Sequence, residues 1–472
     1  MKKIAIIGFG FCGIMVFGNI LKKISQEKSK NNIKFIIFEK DGLSSVGAGF
    51  SNFNDNYILN VPVKKMSPFD EQPNFFLDFL QENYPAIYEK SGADGFVPRN
   101  IYGEFLKKIR KEFFQLASDL KIEYEVFEKQ VLDIEDGFKI VGDGVIIQAD
   151  EVVLSTSFRQ SQLNYAENDE NFISSLWSKN FVNFHKKNNF NADDKICIIG
   201  TGLSAVDVLV GLNSKNFSGK IYAISRRGNF PKPHFSHHNI LPTNNQIDII
   251  DEGDARAGIL NISLKFRKFL RNYKNIDLRH LIDSIRPKTK SFWHNLDEKN
   301  KRLFLKKILP YWNIFRHRVP NISLEIIDKM IKNNQLKIVK SSVKSIHKNN
   351  KFIIDLGGQK IECDYLINCL GFDFNVKNYP LINSMLNKNL LKKDMIFMHS
   401  NNSNIHLVGG LNISRDFEIT AVPDLRVDAN LVANKSLLIS DYIIFFGSTH
   451  SLNCCSLTNP SSRADCFNVV PS

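Results

Sequence analysis

The chain opens on a short run, Lys3 to Ile7, in which apolar residues follow one another without polar alternation. A continuous run of that length suits a parallel strand buried on both faces. Glycines follow at 8, 10 and 13, then a stretch with helical apolar spacing to about Ser25. A second apolar run, Lys34 to Phe38, ends at Glu39, so the N-terminus is predicted to be a βαβ unit. Residues 42–73 read as loop. Helices are predicted near Asn74–Asn83 and over Ile101–Leu120, and a strand at Val152–Leu154. The pattern then restarts, with a strand at Lys195–Ile199, a glycine turn at Gly200–Ala205, a helix over Val206–Leu212 and a strand at Lys220–Ile224. This is a repeat of fold and not a short solenoid period. Later strands are predicted at Leu336–Val339, Phe352–Leu356, Tyr365–Cys369 and Ile405–Val408, and a helix from Val422-Pro423 past Leu431.

The expected fold class is α/β, with two Rossmann-like dinucleotide-binding domains, the second inserted into the first. The predicted boundaries are 1–160 for the first part of one domain and 161–350 for the other. The second carries a helical insertion at about 256–318. Residues 351–435 return to the first domain, and 436–472, poor in charge and without clear periodicity, form a tail.

Composition changes this picture little. The 472 residues exceed one simple core, and 43% hydrophobic with 24% charged residues is ordinary for a globular protein. The 38 phenylalanines read as coding bias. The net charge of +13 is localised: Arg256 to Arg318 holds 17 Lys or Arg against four acids, so the remainder is close to neutral. No nucleic-acid motif accompanies the basic block, which reads as a solvated helical face with some cations aimed at an anionic cofactor or substrate. The seven cysteines form no C-x-x-C pair, which argues against a zinc site, a disulfide framework and a dithiol centre, and fits a reducing cytoplasm. The N-terminus imitates a signal peptide, but the run carries four glycines and Asn19 and has no clear cleavage site. The run Tyr442–Phe446 is too short to cross a membrane. His234, His237 and His238 match no metal spacing, and no metal is expected.

The first turn carries specific chemistry. Gly8 permits the tight bend, Gly10 lets backbone approach a pyrophosphate, and Gly13 allows close helix–strand packing. The helix then presents its N-terminal N–H groups, through Phe11 and Cys12, to phosphate. Glu39, with Lys40 beside it, ends the second strand where a carboxylate accepts from ribose hydroxyls. In the second turn, Gly200, Thr201, Gly202, Leu203 and Ser204 precede Ala205, an accepted third position. Its second strand ends in Ser225, Arg226 and Arg227. A carboxylate there would repel a 2′-phosphate, whereas guanidiniums bind one, so NADPH is expected. FAD is assigned to the first turn, with Gln130-Val131 edging the adenine. The strand ending at Ser155-Thr156-Ser157 and the segment Cys369-Leu370-Gly371-Phe372 are the expected returns to the two cofactors.

Several segments in combination resemble the FAD/NAD(P)-binding proteins of the YdhS type, a group related to FAD-dependent urate hydroxylases and aspartate N-monooxygenases. They are Asn54–Pro62 running into Met66-Ser67-Pro68-Phe69, Phe96-Val97-Pro98-Arg99 with Tyr102-Gly103, Ile199–Asp207 with Ser225–Gly228, and Glu418–Arg426. Tyr311-Trp312 with Arg316-His317-Arg318 is a weaker fifth. The likeness spans about Lys3 to Ala433. It implies a flavoprotein monooxygenase in which NADPH reduces the flavin, O₂ reacts, and a nucleophilic, nitrogen-containing metabolite is hydroxylated. By the same likeness Asn60, Met66 and Ser67 approach the isoalloxazine, Arg99 belongs to the FAD site, and Thr420 and Ala421 direct N–H groups at the flavin; for Met66, plain core packing is an equal reading. One departure is that the late strand ends Gly409-Gly410-Leu411, without the Gly-Asp that many such flavoproteins carry. Two other readings stay open: a flavin-dependent reductase passing electrons from NADPH to a quinone or protein, and a non-catalytic nucleotide-binding sensor.

Overall fold

The computed structural model describes residues 1–27, 32–50, 56–157, 160–165, 169–186, 190–235, 252–272, 277–373, 375–394, 397–412 and 421–446. Of the expected site residues, Thr420 lies outside these, as do His237 and His238.

The first domain is built as its apolar runs dictate. Strand β1 (Lys2–Ile7), helix α1 (Phe11–Glu27) and strand β2 (Ile33–Phe38) form the opening βαβ unit, with β1 and β2 in parallel register from Lys2↔Ile33 to Ile7↔Phe38. Ile4, Ala5 and Ile6 are fully buried, as a strand covered on both faces requires. Helix α2 (Arg99–Asp119) packs so closely on α1 that a Cβ at Gly18 would stand 2.0 Å from the Phe113 ring. It starts two residues before the expected Ile101, directly after Pro98. Strands β3 (Glu123–Phe127) and β4 (Glu151–Leu154) extend the sheet on either side.

The second domain repeats the plan. Strand β5 (Phe172–Ile173) precedes β6 (Lys195–Ile199), helix α3 (Leu203–Ser214), β7 (Lys220–Ser225), β8 (Leu336–Lys340) and β9 (Tyr365–Asn368). The sheet order is β8-β7-β6-β9-β5. Strand β10 (Ile405–Leu407) then returns to the first sheet, giving β10-β4-β1-β2-β3, and helix α4 (Val422–Phe446) lies against α1. The chain is thus mixed α/β with two Rossmann-like parallel sheets.

Two expected boundaries move. The return to the first domain does not come at 351. Strand β9 pairs in parallel with β6, Tyr365 opposite Ile196, and the antiparallel strands over 345–363 bury Phe352, Ile354 and Cys363 against Cys197 and Ile199 of that sheet. Nor does a tail begin at 436, because α4 runs unbroken across that point. Ser436 is fully buried, its hydroxyl on Glu151 at the start of β4. Glu151 also meets Lys2 at 2.7 Å and His406 at 2.9 Å. Burial alone would raise the Glu151 carboxyl; its contacts with His406 and Lys2 outweigh that and hold it below the ordinary value.

The basic block is helical, as expected. Its short helices enclose a small core of their own, including Leu281, Phe292, Trp293, Phe304 and Trp312. No helix among the described residues is long and apolar enough to cross a membrane, and no group of His, Cys, Asp or Glu among them has metal-binding geometry.

Candidate functional site

Both glycine turns sit at the carboxyl ends of their first strands, where an open parallel sheet binds ligands. Gly8 has φ +90°, and a Cβ on it would lie 3.0 Å from the Ser155 carbonyl oxygen. Ser155 answers with its hydroxyl, which donates to the Gly8 oxygen at 2.5 Å. At Gly13 a Cβ would stand 2.2 Å from the same oxygen, so only glycine lets α1 approach the turn. The space freed at Gly10 faces the Gly47 backbone, 3.1 Å from an added Cβ, so residues 46–47 close over this turn. The second turn matches: Gly200 has φ +113°, and a Cβ would meet the Cys369 carbonyl oxygen at 2.3 Å. Ser155 and Cys369 therefore end the third strand of each unit against its turn. At Gly202 an added Cβ would meet no described atom within 4 Å, which leaves room beside the helix N-terminus for a phosphate.

Glu39 is buried, and its Oε2 accepts from the Phe9 N–H at 2.7 Å while Oε1 lies 3.3 Å from the Asp41 nitrogen. A carboxylate so placed keeps lone pairs for ribose hydroxyls. Lys40 is exposed beside it. Phe11 and Val131 are buried in apolar clusters. Cys12 packs against Gly409, and burial, then Asp428, pushes its thiol up, away from reactivity.

Ser225 is turned away from the role expected of it. Thr201 Oγ1 donates to the Asn229 carbonyl at 2.7 Å and lies 3.0 Å from Ser225 Oγ, which itself accepts from the Gly228 N–H at 2.9 Å. With the threonine proton used on Asn229, the serine proton goes to Thr201, and Ser225 organises the turn from within. Arg226 is exposed, and Arg227 lies 5.4 Å over the Tyr311 ring of the helical insertion.

Three of the segments expected round a flavin ring touch one another, through Met66 with Tyr102 and Ser67 with Arg426. Met66 is buried in the first core, and its carbonyl accepts from Tyr102 Oη at 2.9 Å. Ser67 Oγ donates to the Gln72 carbonyl at 2.5 Å. Arg426, on α4, donates to the Ser67 carbonyl at 2.8 Å and meets Asp70 at 2.5 Å, while its buried Nε has no acceptor among the described residues. Ala421 opens the first turn of α4, its carbonyl accepting from the Leu425 N–H at 2.9 Å. Asp424, in that turn, pairs with Arg286 at 3.0 Å and lies 3.8 Å from Arg316, both from the helical insertion. Burial, then Arg316 and Arg286, pushes His317 down to about 3. His234 reaches from the second domain to the Asn60 carbonyl, Nε2 to oxygen 2.9 Å, with Phe96 against its ring. Burial lowers His234 to about 4 despite that bond, so it is the neutral ring that donates. Arg99 is fixed elsewhere: it forks onto Asp207 of α3 at 2.9 and 3.0 Å.

Sequence reasoning assigned no role to Asp207, Asp424 and Arg426, although they lie in the resembling segments, and passed over Arg286 and Asp428. The last one bears on the missing Gly-Asp: Asp428, on α4, accepts from the Gly409 N–H at 2.8 Å and from Asn412 Nδ2 at 2.9 Å. A carboxylate therefore stands at the end of the late strand, supplied by a helix. Asp424 and Asp428, four residues apart, share one helical face by their spacing, whereas Arg426, two residues from each, does not.

A family model described as FAD-NAD(P)-binding matches residues 5–159. No curated protein matches the sequence. Among solved structures, the reduced form of ornithine hydroxylase from Pseudomonas aeruginosa superposes with TM-score 0.60 at 14% identity, covering 93% of this chain and 99% of its own. The ornithine N-hydroxylase of Kutzneria sp. 744, in a form with reduced FAD, NADP⁺ and L-ornithine, gives 0.57 at 14%, covering 93% and 99%. L-lysine 6-monooxygenase from Pseudomonas syringae gives 0.57 at 12%, covering 92% and 98%. At such identities the likeness establishes the fold.

Proposed function

We propose that the chain is an NADPH-dependent flavin monooxygenase that hydroxylates a nucleophilic nitrogen of a small metabolite. The observation that carries this is a single chain with two dinucleotide turns, different in what ends their second strands. Glu39 suits a ribose, and Arg226 with Arg227 suits a 2′-phosphate. The full-length likeness to enzymes whose names specify ornithine and lysine hydroxylation supports the reaction class. The finer kinship, to the YdhS type and the urate hydroxylases, rests on the sequence segments alone.

The residues fit the two cofactors on structural grounds: Gly202 has open space beside it, Glu39 retains acceptor capacity, and Arg426 holds a buried N–H without an acceptor among the described residues. Bound FAD would supply electron transfer and oxygen activation, chemistry that no side chain provides. The chain's part is to hold the nucleotides. Gly8 to Gly13 and Glu39 bind one nucleotide at a helix N-terminus. Gly200 to Ser204, Arg226 and Arg227 bind the other. Neutral His234 steadies the Asn60 backbone, and the Arg286–Asp424 and Arg426–Asp70 pairs tie the helical insertion and residue 70 to α4.

The test is the absorption spectrum of purified protein, then anaerobic NADPH titration, then air with ornithine, lysine, aspartate or urate and assay for hydroxylated product. The expected result is a bound flavin bleached by NADPH and re-oxidised with product. A protein that neither carries nor takes up FAD would end the reading. NADPH oxidation by quinone without oxygenated product would make it a reductase.

A further inference from the structure

Residues 57–60 and 97–99 of the first domain form a small antiparallel pairing. Ile58 bridges Pro98, the Leu59 N–H donates to the Val97 carbonyl at 2.9 Å, and the Arg99 N–H to the Tyr57 carbonyl at 2.7 Å. This pairing leaves its own domain. Tyr57 is buried in the core of the second, its ring parallel to Phe181 with centroids 6.3 Å apart. Arg99, at the start of α2, sends both terminal nitrogens to Asp207, Nη1 to Oδ2 at 2.9 Å and Nη2 to Oδ1 at 3.0 Å, and its Nε to the Ile58 carbonyl at 3.3 Å. Both side chains are largely buried. Asp207 stands five residues beyond Gly202, on the helix whose N-terminus forms the second glycine turn. His234, bonded to the Asn60 carbonyl, fastens the other end of the same pairing to the loop that follows Arg226 and Arg227.

Given the flavin-and-NADPH reading, on which this rests, we infer that Arg99 and Asp207 are a positioning pair. They hold the second dinucleotide turn at one fixed offset from the first, so that a hydride passes from NADPH to flavin without rotation between the domains. A planar guanidinium bonded through both forks defines distance and plane together, which a lysine ammonium does not. Buried ion pairs seldom add net stability over apolar packing, so direction is what this one contributes. Hydride transfer is sensitive to that direction, since a displacement of about 1 Å costs on the order of 100-fold in rate.

The experiment uses full-length holoprotein, as wild type, Arg99→Lys and the double variant Arg99→Leu/Asp207→Leu, which strands no charge. Flavin content, melting temperature, NADPH affinity and the limiting rate of anaerobic flavin reduction are measured. Distances between nitroxides at the exposed positions Glu82 and Ser218 are measured alongside. The expected result is a limiting rate lower by at least about tenfold, NADPH affinity within about twofold, unchanged flavin content, and a broadened distance distribution in both variants. Wild-type limiting rates with an equally narrow distribution would overturn the pair's role. A wild type that NADPH does not reduce would instead defeat the flavin-and-NADPH reading, and the distance arm would still decide whether the pair fixes the domains.

Discussion

At the scale of the residue, the chemistry divides between groups whose role is local and groups whose role depends on a distant partner. Gly13 is local, set against Gly8 of its own turn, while Gly8 and Gly200 are required where a turn meets a neighbouring strand at Ser155 and Cys369, and the spacing of all three announces it. Ser225 looked like a phosphate ligand and is instead a turn organiser, because Thr201 and Gly228 take its hydrogen-bonding capacity. On the proposed reading, discrimination between the nucleotides then falls to the two arginines. Arg226→Ala/Arg227→Ala should raise the KM for NADPH at least tenfold, from the loss of charge-assisted bonds of about 1.5–3 kcal/mol. The KM for NADH should move little. Steady-state kinetics with both nucleotides checks this, and equal losses would reject 2′-phosphate recognition.

The two histidines at the domain junction make a prediction of opposite kind, in stability. His234 and His317 are held neutral in the fold, at about 4 and about 3, while an unfolded histidine titrates near 6.5. Between those values the unfolded chain binds more protons, so stability falls as pH drops below about 6.5 and continues to fall toward the folded values. At pH 5 the loss is about 2 kcal/mol for each. Denaturant melts at pH 7 and pH 5 should show the loss reduced in His317→Gln. An unchanged pH dependence in that variant would refute the assignment.

At the scale of the element, most strands and helices were legible because their burial is two-sided or periodic. β1, β2, β6 and β7 read directly from continuous apolar runs. The end of the last helix did not. Its later part lacks a clear apolar period, and what fixes it near Ser436 is Glu151, 285 residues away, together with Lys2 and His406. Glu151→Ala should therefore loosen α4 from the first sheet at a cost of about 3–5 kcal/mol, since it removes a fully buried carboxylate that Lys2, His406 and Ser436 all contact. Glu151→Gln should cost less. Thermal melts with hydrogen exchange over 422–446 measure both. Wild-type protection of that helix in Glu151→Ala would show that the cluster does not hold it.

At the scale of the whole molecule, the basic block finds its place. Much of its charge faces solvent, but Arg286 and Arg316 turn inward to Asp424, and Arg318 pairs with Asp283 through two bonds of 2.8 Å. The helical insertion, with its own core, is thereby tied to the helix that opens at the expected flavin site. Asp424→Asn should free it by about 1 kcal/mol, the pairs being partly exposed. The expected readout is faster limited proteolysis within 252–318 with flavin content retained; unaltered cleavage would assign the closure to other contacts.

What the sequence by itself determined is the pair of nucleotide turns, the acid and the arginines that end their second strands, and the α/β order that repeats between them. These are short-range matters, settled within a strand, a turn and a helix, where spacing alone sets geometry. Only the tertiary structure decided where the second domain ends, that α4 crosses residue 436, that Asp428 supplies the carboxylate at Gly409, and that Arg99 faces Asp207. Each of these joins groups far apart along the chain or on different elements, and a charged side chain carries no mark of its partner until packing has removed both from water.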